Sequence, residues 1–403
     1  MFIERLKFLA GAGPRALVVA AVFCSLLGAA LPAPAEPITT GADDQLIDHM
    51  PASNKLRRVA QRENALATTA PFAAARHPNP MLAAQEARGL LQAARAEGDP
   101  RAAGQALALL APWKDDARAP AQVVLMLATV EQFLHEFDTA NTRLEALVAR
   151  DPSQSQAWLT LATLRRLRGD YDTSDAACRA MLPLGVQLHG QACLAENMAL
   201  RGQVAQARAL VAELLGTTAD GATRNWLLTT LAEAEQRDGR PRQAESAFKA
   251  ALQADADAYT TLDFADLLID QKRPAEALAL LKDQPRSDAV LLRLAIAGRQ
   301  SASAQAPADI AELTDRFTQA ALRPGGISGH AREHAMYWLY LRDDPLAALR
   351  LAGQNLQQQR EPIDLLLYAR AARAADARDC LVAVARLQKV MHLHDRRLDT
   401  LLH

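Results

Sequence analysis

The sequence predicts an all-α solenoid of stacked antiparallel helix hairpins. Three observations carry that expectation: a short phrase that recurs along the chain, a small residue that keeps step with it, and a composition dominated by helix formers. The phrase is a turn residue, any residue, then Pro, Val or an aromatic, two more residues, and Ala or Ser. It runs from Gly98 to Ala103, His135 to Ala140, Gly169 to Ser174, Gly202 to Ala207, Gly239 to Ala244, Lys272 to Ala277 and Asp343 to Ala348. The closing small residues of the first six copies are 37, 34, 33, 37 and 33 positions apart. Twelve residues before the second to sixth of them stand Ala128, Ala162, Ala195, Ala232 and Ala265. Half of the 403 residues are apolar, chiefly Ala and Leu, and only 4% are aromatic, which suits helices packed closely through small side chains.

Each part of the phrase has a mechanical reason. Gly or a small polar residue ends the first helix of a hairpin where a positive φ is needed, and Pro two positions later sits at the start of the second, where its missing N–H costs nothing. Ala at the paired positions lets the two helix axes approach, since a larger side chain would hold them apart. Repeats of this kind touch only their neighbours, so residues 81–403 are expected to form one extended solenoid, with a loop inserted near 299–307 and the period loosening beyond 297.

The stretch from Gln154 to Leu184 resembles a tetratricopeptide repeat: Trp158, Leu161, Ala162, Gly169 and Tyr171 stand at its signature spacings, with Ser174 in place of the second Ala. Recognisable copies cover about residues 84–288, and degenerate ones continue to about 387. The chain as a whole also resembles a group of exported bacterial tetratricopeptide proteins, through stretches such as Ala96-Glu97-Gly98-Asp99-Pro100-Arg101 and Gln359-Arg360-Glu361-Pro362. The resemblance implies a right-handed superhelix of about eight repeats, the C-terminal ones degenerate, with a concave groove lined by the first helix of each pair.

Carried onto this frame, the resemblance places Arg88, Gln92 and Arg95 in the groove of the first repeat and Gln132 in the next. Arg166 follows, then Trp226 and Arg237, and finally Tyr259, Asp266 and Asp270. Arginines gather toward one end and acids toward the other, which suits an extended peptide whose charge changes along its length. Trp226 and Tyr259 are the expected aromatic anchors, whereas Trp113, Trp158, Tyr171 and Phe248 are expected between helices.

At the N-terminus Arg5, Lys7 and Arg15 precede an uncharged apolar run, Ala16 to Leu31, followed by Ala33-Pro34-Ala35. A basic flank, an apolar core and an A-x-A site are the parts of a secretory signal, so residues 1–35 read as a signal peptide cleaved near Ala35, with retention as an anchor the alternative. Its removal leaves 42 basic against 45 acidic residues, a mildly acidic mature chain that argues against a polyanionic partner such as nucleic acid. Residues 36–80 read as a leader and N-terminal cap. The expected location is periplasmic or otherwise exported.

Export changes the reading of the cysteines. Cys24 leaves with the signal, and Cys178 and Cys193 flank a turn at similar heights, so they are either a disulfide or two small apolar residues of the core. Cys380 has no sequence-near partner and is expected as a buried thiol. With no CxxC, neither a redox motif nor a thiolate zinc site is supported.

One enzymatic motif stands out. His330-Ala331-Arg332-Glu333-His334 matches the H-x-x-E-H order of inverted zinc peptidases, in which residues four apart share a helix face. It lies in a repeat frame without a third ligand, and no metal or other cofactor is expected. His392 and His394 alternate and share no helical face. The reading is a non-catalytic interaction scaffold of the bacterial cell envelope that holds a peptide or protein in its groove. The alternative is an enzyme on a helical scaffold, either a metal hydrolase at His330, Glu333 and His334 or a polysaccharide-active protein.

Overall fold

The computed structural model describes residues 79–97, 100–322 and 330–402. The signal, its cleavage position and the leader up to residue 78 lie outside the described residues, as do residues 98–99, 323–329 and His403.

Nine antiparallel hairpins and a final short helix follow one another among the described residues. The first three are α1 (Pro80–Glu97) with α2 (Pro100–Leu110), α3 (Ala121–Phe133) with α4 (Phe137–Arg150), and α5 (Ser155–Leu167) with α6 (Tyr171–Ala180). The middle three are α7 (Gln187–Leu200) with α8 (Val204–Thr217), α9 (Gly221–Arg237) with α10 (Pro241–Ala254), and α11 (Ala258–Asp270) with α12 (Pro274–Leu281). The last three are α13 (Asp288–Gln300) with α14 (Ala306–Ala321), α15 (Ala331–Tyr340) with α16 (Pro345–Gln358), and α17 (Pro362–Ala374) with α18 (Arg378–Met391); α19 (Arg396–Leu402) ends the chain. The fold is the expected all-α solenoid. It has nine described hairpins, against seven copies of the phrase and the about eight repeats that the resemblance implied, because the turns at Ala302 and Asp376 carry no recognisable copy of the phrase.

The turns explain the phrase. Eight of them hold one residue at positive φ: His135, Gly169, Gly202, Gly239, Lys272, Ala302, Asp343 and Asp376, with φ between 51° and 82°. The residue after it usually closes the helix end by donating its N–H five residues back, as Asp170 does to the Arg165 carbonyl and Gln203 to that of Met198, both at 2.9 Å. Pro starts α2, α10, α12 and α16. The paired small residues are buried in every copy, and Ser174 earns its place by donating its hydroxyl to the Ala162 carbonyl at 2.8 Å. At 299–307 the chain makes a helix end, a five-residue turn and a helix start, so this stretch is a hairpin turn of the solenoid.

Neighbouring hairpins are also joined by buried polar contacts. Asn197 on α7 donates to Ser174 and Asp175 on α6, and Asn225 on α9 reaches the Ala251 and Asp255 carbonyls and the Thr260 hydroxyl. Cys178 on α6 and Cys193 on α7 are joined by a disulfide across the same junction, their Cα atoms 5.7 Å apart and both side chains fully buried. Cys380 is a half-buried thiol.

The superhelix curls until its last hairpins meet its middle ones. Arg360, before α17, donates its N–H to the carbonyl of Leu167 at 2.7 Å, and His394, before α19, donates to that of Leu200 at 2.8 Å. Leu167 and Leu200 are the last residues of α5 and α7, where helix carbonyls have no partner inside their own helix. Side chains reinforce the contact: Arg168 donates to the Gln357 and Gln358 carbonyls, Gln359 meets His135 at 2.9 Å, and Arg370 pairs with Asp270 at 2.8 Å.

Candidate functional site

Closure turns the concave face into a cavity of about 910 Å³, counting the space that opens at its mouth. The first helices of successive hairpins supply its floor: Arg166 from α5, Glu196 and Leu200 from α7, Glu233, Gln236 and Arg237 from α9, Tyr259, Asp263, Asp266 and Asp270 from α11, and Arg293 from α13. Arg332 from α15, residues 361–363 at the start of α17, and Arg397 from α19 cover it. Tyr171, at the start of α6, stands at the rim of the floor beside Leu167.

Five arginines and six carboxylates line this space, so it is strongly polar yet close to neutral. Most of the arginines are held by an acid. Arg293 grips Asp266 through Nε and Nη2 at 2.9 and 2.6 Å, and Arg332 grips Asp364 through the same edge at 2.6 and 2.8 Å while also meeting Glu361. Arg397 holds the fully buried Asp395 at 2.9 and 2.6 Å, and Arg166 lies 3.1 Å from Glu196. Side-on bidentate pairing fixes both planes, which makes the walls rigid. Arg237 is the loosest: its nearest acid, Glu233, is 3.7 Å away, and its Nε and Nη2 have no hydrogen-bond partner although the residue is only 5% exposed. Tyr259 donates to Glu233 at 2.7 Å.

Burial sets the electrostatics. It pushes the carboxyls of Asp266 and Asp364 above the usual carboxylate range, against the pull of Arg293 and Arg332 respectively. The Tyr171 phenol is also raised by burial, with Arg237 and Arg166 acting the other way, so it stays protonated across the physiological range. Such a cavity can orient a polar or zwitterionic group.

Five of the ten groove residues named from the sequence come together here. Arg166, Arg237, Tyr259, Asp266 and Asp270 all line the cavity. Arg88 and Gln92 are exposed on α1, away from it, and Arg95 lies on the same helix. Gln132 is buried at 1% exposure, and its side-chain amide has no partner. Trp226 is a correction: it is buried, packed with Ala192, Val211 and Leu214, and its ring stacks on His189 at 5.7 Å. His189 holds the same repeat position one hairpin earlier, so the two rings cover each other instead of facing the groove. Arg293, Arg332, Glu361 and Arg397 were missed because the first lies where the repeat pattern fades and the others arrive only through closure.

The H-x-x-E-H residues are not gathered at the cavity. His330 is exposed at the start of α15, while His334 is buried with its ring 4.0 Å from that of Phe317. Among the described residues, no cluster of three or more His, Cys, Asp or Glu has a geometry suited to a metal ion. Nor is any described helix long and apolar enough to cross a membrane.

A period near 34 residues, a left-handed residue at each of the eight described hairpin turns and buried alanine pairs together define the architecture. The chain is a tetratricopeptide-like helical solenoid. No family model and no curated protein matches it. Among solved structures it is similar to PilF of Pseudomonas aeruginosa, at 16% identity and TM-score 0.36, over 52% of this chain and 95% of that one. Human IFIT1, solved as a dimer with m7Gppp-AAAA, is similar at 14% identity and TM-score 0.48, over 83% of this chain and 78% of that one. Yeast Tom70 gives 10% identity and TM-score 0.23, over 80% and 88%.

Proposed function

We propose that this tetratricopeptide-like chain is a non-catalytic interaction scaffold of the bacterial cell envelope, and that its enclosed concave cavity receives a short segment of a peptide or protein partner. The observation that carries the reading is the cavity itself: a floor built from one face of five successive first helices, with Tyr259 and Arg237 presented among fixed ion pairs. Rigid charges of both signs recognise a polar segment through complementarity more than through buried apolar area. The basic, apolar and A-x-A parts of residues 1–35 and the Cys178–Cys193 disulfide support an exported location.

The test is crosslinking of the tagged protein in its native cell, followed by capture and mass spectrometry, with Arg237→Gln beside the wild type. A small set of envelope proteins captured by the wild type and lost with the variant supports the reading. Equal capture by both moves the contact elsewhere, and capture of none removes the scaffold role.

One observation favours an enzyme instead: Glu233, Asp263, Asp266 and Asp270 share an enclosed space, as paired acids do in glycoside-cleaving sites. Asp266 and Asp270 are already held by Arg293 and Arg370, and Glu233 accepts a hydrogen bond from Tyr259, which weighs against that role for these three. Release of reducing ends from envelope polysaccharide by the purified protein, abolished by Asp263→Asn, would establish it.

A further inference from the structure

The eight left-handed turns pose a question of composition. His135, Lys272, Ala302, Asp343 and Asp376 adopt the required φ with side chains in place, so the turn does not by itself demand glycine. Glycine stands in the other three, Gly169, Gly202 and Gly239, which close consecutive hairpins.

Those three turns share one feature. A Cβ added at Gly169 would lie 2.6 Å from Met391 Cε, one at Gly202 would lie 3.2 Å from His394 Cβ, and one at Gly239 would lie 3.2 Å from Arg396 Cδ. The four-residue non-helical link between α18 and α19, with the residue at each end, therefore crosses three hairpins in order. Extended chain advances at most about 3.6 Å per residue, so the three steps from Met391 to His394 reach no more than about 10 Å, of the order of the spacing of packed helices. Glycine at these positions makes room for a strap.

The strap is held at several points. His394 donates its N–H to the Leu200 carbonyl, and its ring meets Asp238 at 3.1 Å. Met391 and Leu393 pack in one cluster with Tyr171 and Leu200, both of which line the cavity, and Arg397 just beyond the strap is part of its cover. Docking of the strap and covering of the cavity are thus one event.

We propose that the ridge formed by the Gly169, Gly202 and Gly239 turns is a docking surface for the helix-linking segment 391–396, and that this strap is a latch: docked it closes the cavity, and released it opens it. The proposal rests on the reading of the cavity as the binding site and assigns its regulation.

The test uses a reversible lock in the full chain. A Cβ at Gly239 would stand 3.9 Å from that of Arg396, inside the roughly 3.5–4.5 Å range that a disulfide needs. Gly239→Cys with Arg396→Cys, in a background with Cys178 and Cys193 changed to Ala and Cys380 to Ser, can be compared oxidised and reduced with the thiols capped, so the Cys178–Cys193 disulfide does not enter the comparison. The probe is tetranitromethane, with nitration of each tyrosine followed by mass spectrometry. Oxidation is expected to slow nitration of Tyr171 and Tyr259 at least about tenfold while leaving Tyr337, which does not line the cavity, unchanged. Gly202→Asn, which tolerates the turn but crowds His394, is expected to speed it. Equal rates at Tyr171 and Tyr259 in the oxidised, reduced and Gly202→Asn proteins overturn the latch. Partner capture separates the two readings: equal capture by both redox forms refutes the latch and leaves the binding site standing, whereas gated nitration without any partner refutes the binding role alone.

Discussion

Gly169 and Met391, 222 positions apart in the chain, are packed so closely that a single methyl on Gly169 would come within 2.6 Å of the Met391 Cε. Glycine there has a packing reason in addition to its φ of 79°. Gly169→Asn is expected to cost about 1–3 kcal/mol by overpacking, and Met391→Ala in the same chain should recover part of it. At the equivalent turn, Asp343→Asn gives up only an exposed ion pair with Arg299 and should cost less than about 1 kcal/mol. Urea unfolding of the four proteins measures all of these terms.

The Arg332 cluster supplies the second prediction. Arg332→Met leaves Asp364 and Glu361 buried without their counter-charge, and removing one partner of such a group costs about 3–5 kcal/mol. Burial already raises Asp364, and loss of the guanidinium raises it further. A carboxyl whose folded pKa lies above its unfolded one binds more protons when folded, so folding gains stability as the pH falls. The deficit of Arg332→Met relative to wild type should therefore shrink from pH 7 to pH 5, and a deficit constant over that range would contradict the assignment.

Reduction tests the covalent junction. The Cys178–Cys193 bond spans 15 residues of sequence, and closing a loop of that size is worth about 3 kcal/mol in the chain-entropy model. A reductant should lower the melting temperature of the wild type but not that of a protein with both cysteines changed to Ala. A non-reducing peptide map should contain the linked fragment.

His135 gives a pH dependence of opposite origin. Burial holds its imidazole down to about 3, with nearby His330 and Arg332 acting in the same direction and Glu333 against them. The unfolded histidine binds a proton near its ordinary pKa while the folded one does not, so this contribution is present above about pH 6.5 and is lost as the pH falls toward the folded value. His135→Asn, which keeps a residue tolerant of the φ of 63°, should flatten the loss of stability between pH 6.5 and 4.

How much of this was legible in the sequence follows from the range of each interaction. The turn, the proline and the paired alanines act within one hairpin, so the solenoid could be read from them. The floor residues Arg166, Arg237, Tyr259, Asp266 and Asp270 could be placed by the same period. Trp226 could not, because its fate depends on a second ring at His189 in the neighbouring hairpin. Arg332, Glu361 and Arg397 were beyond reach, since the closing contacts join segments as far apart as Arg360 and Leu167. Nothing periodic marks a contact that is made once.

The bond from the Arg360 N–H to the Leu167 carbonyl also sets a timetable. A chain leaves the ribosome from its N-terminus, so the hairpins of the floor can form while the residues that cover them are still being synthesised. The concave face is therefore finished from the far end of the gene, and a nascent or prematurely stopped chain would display it bare.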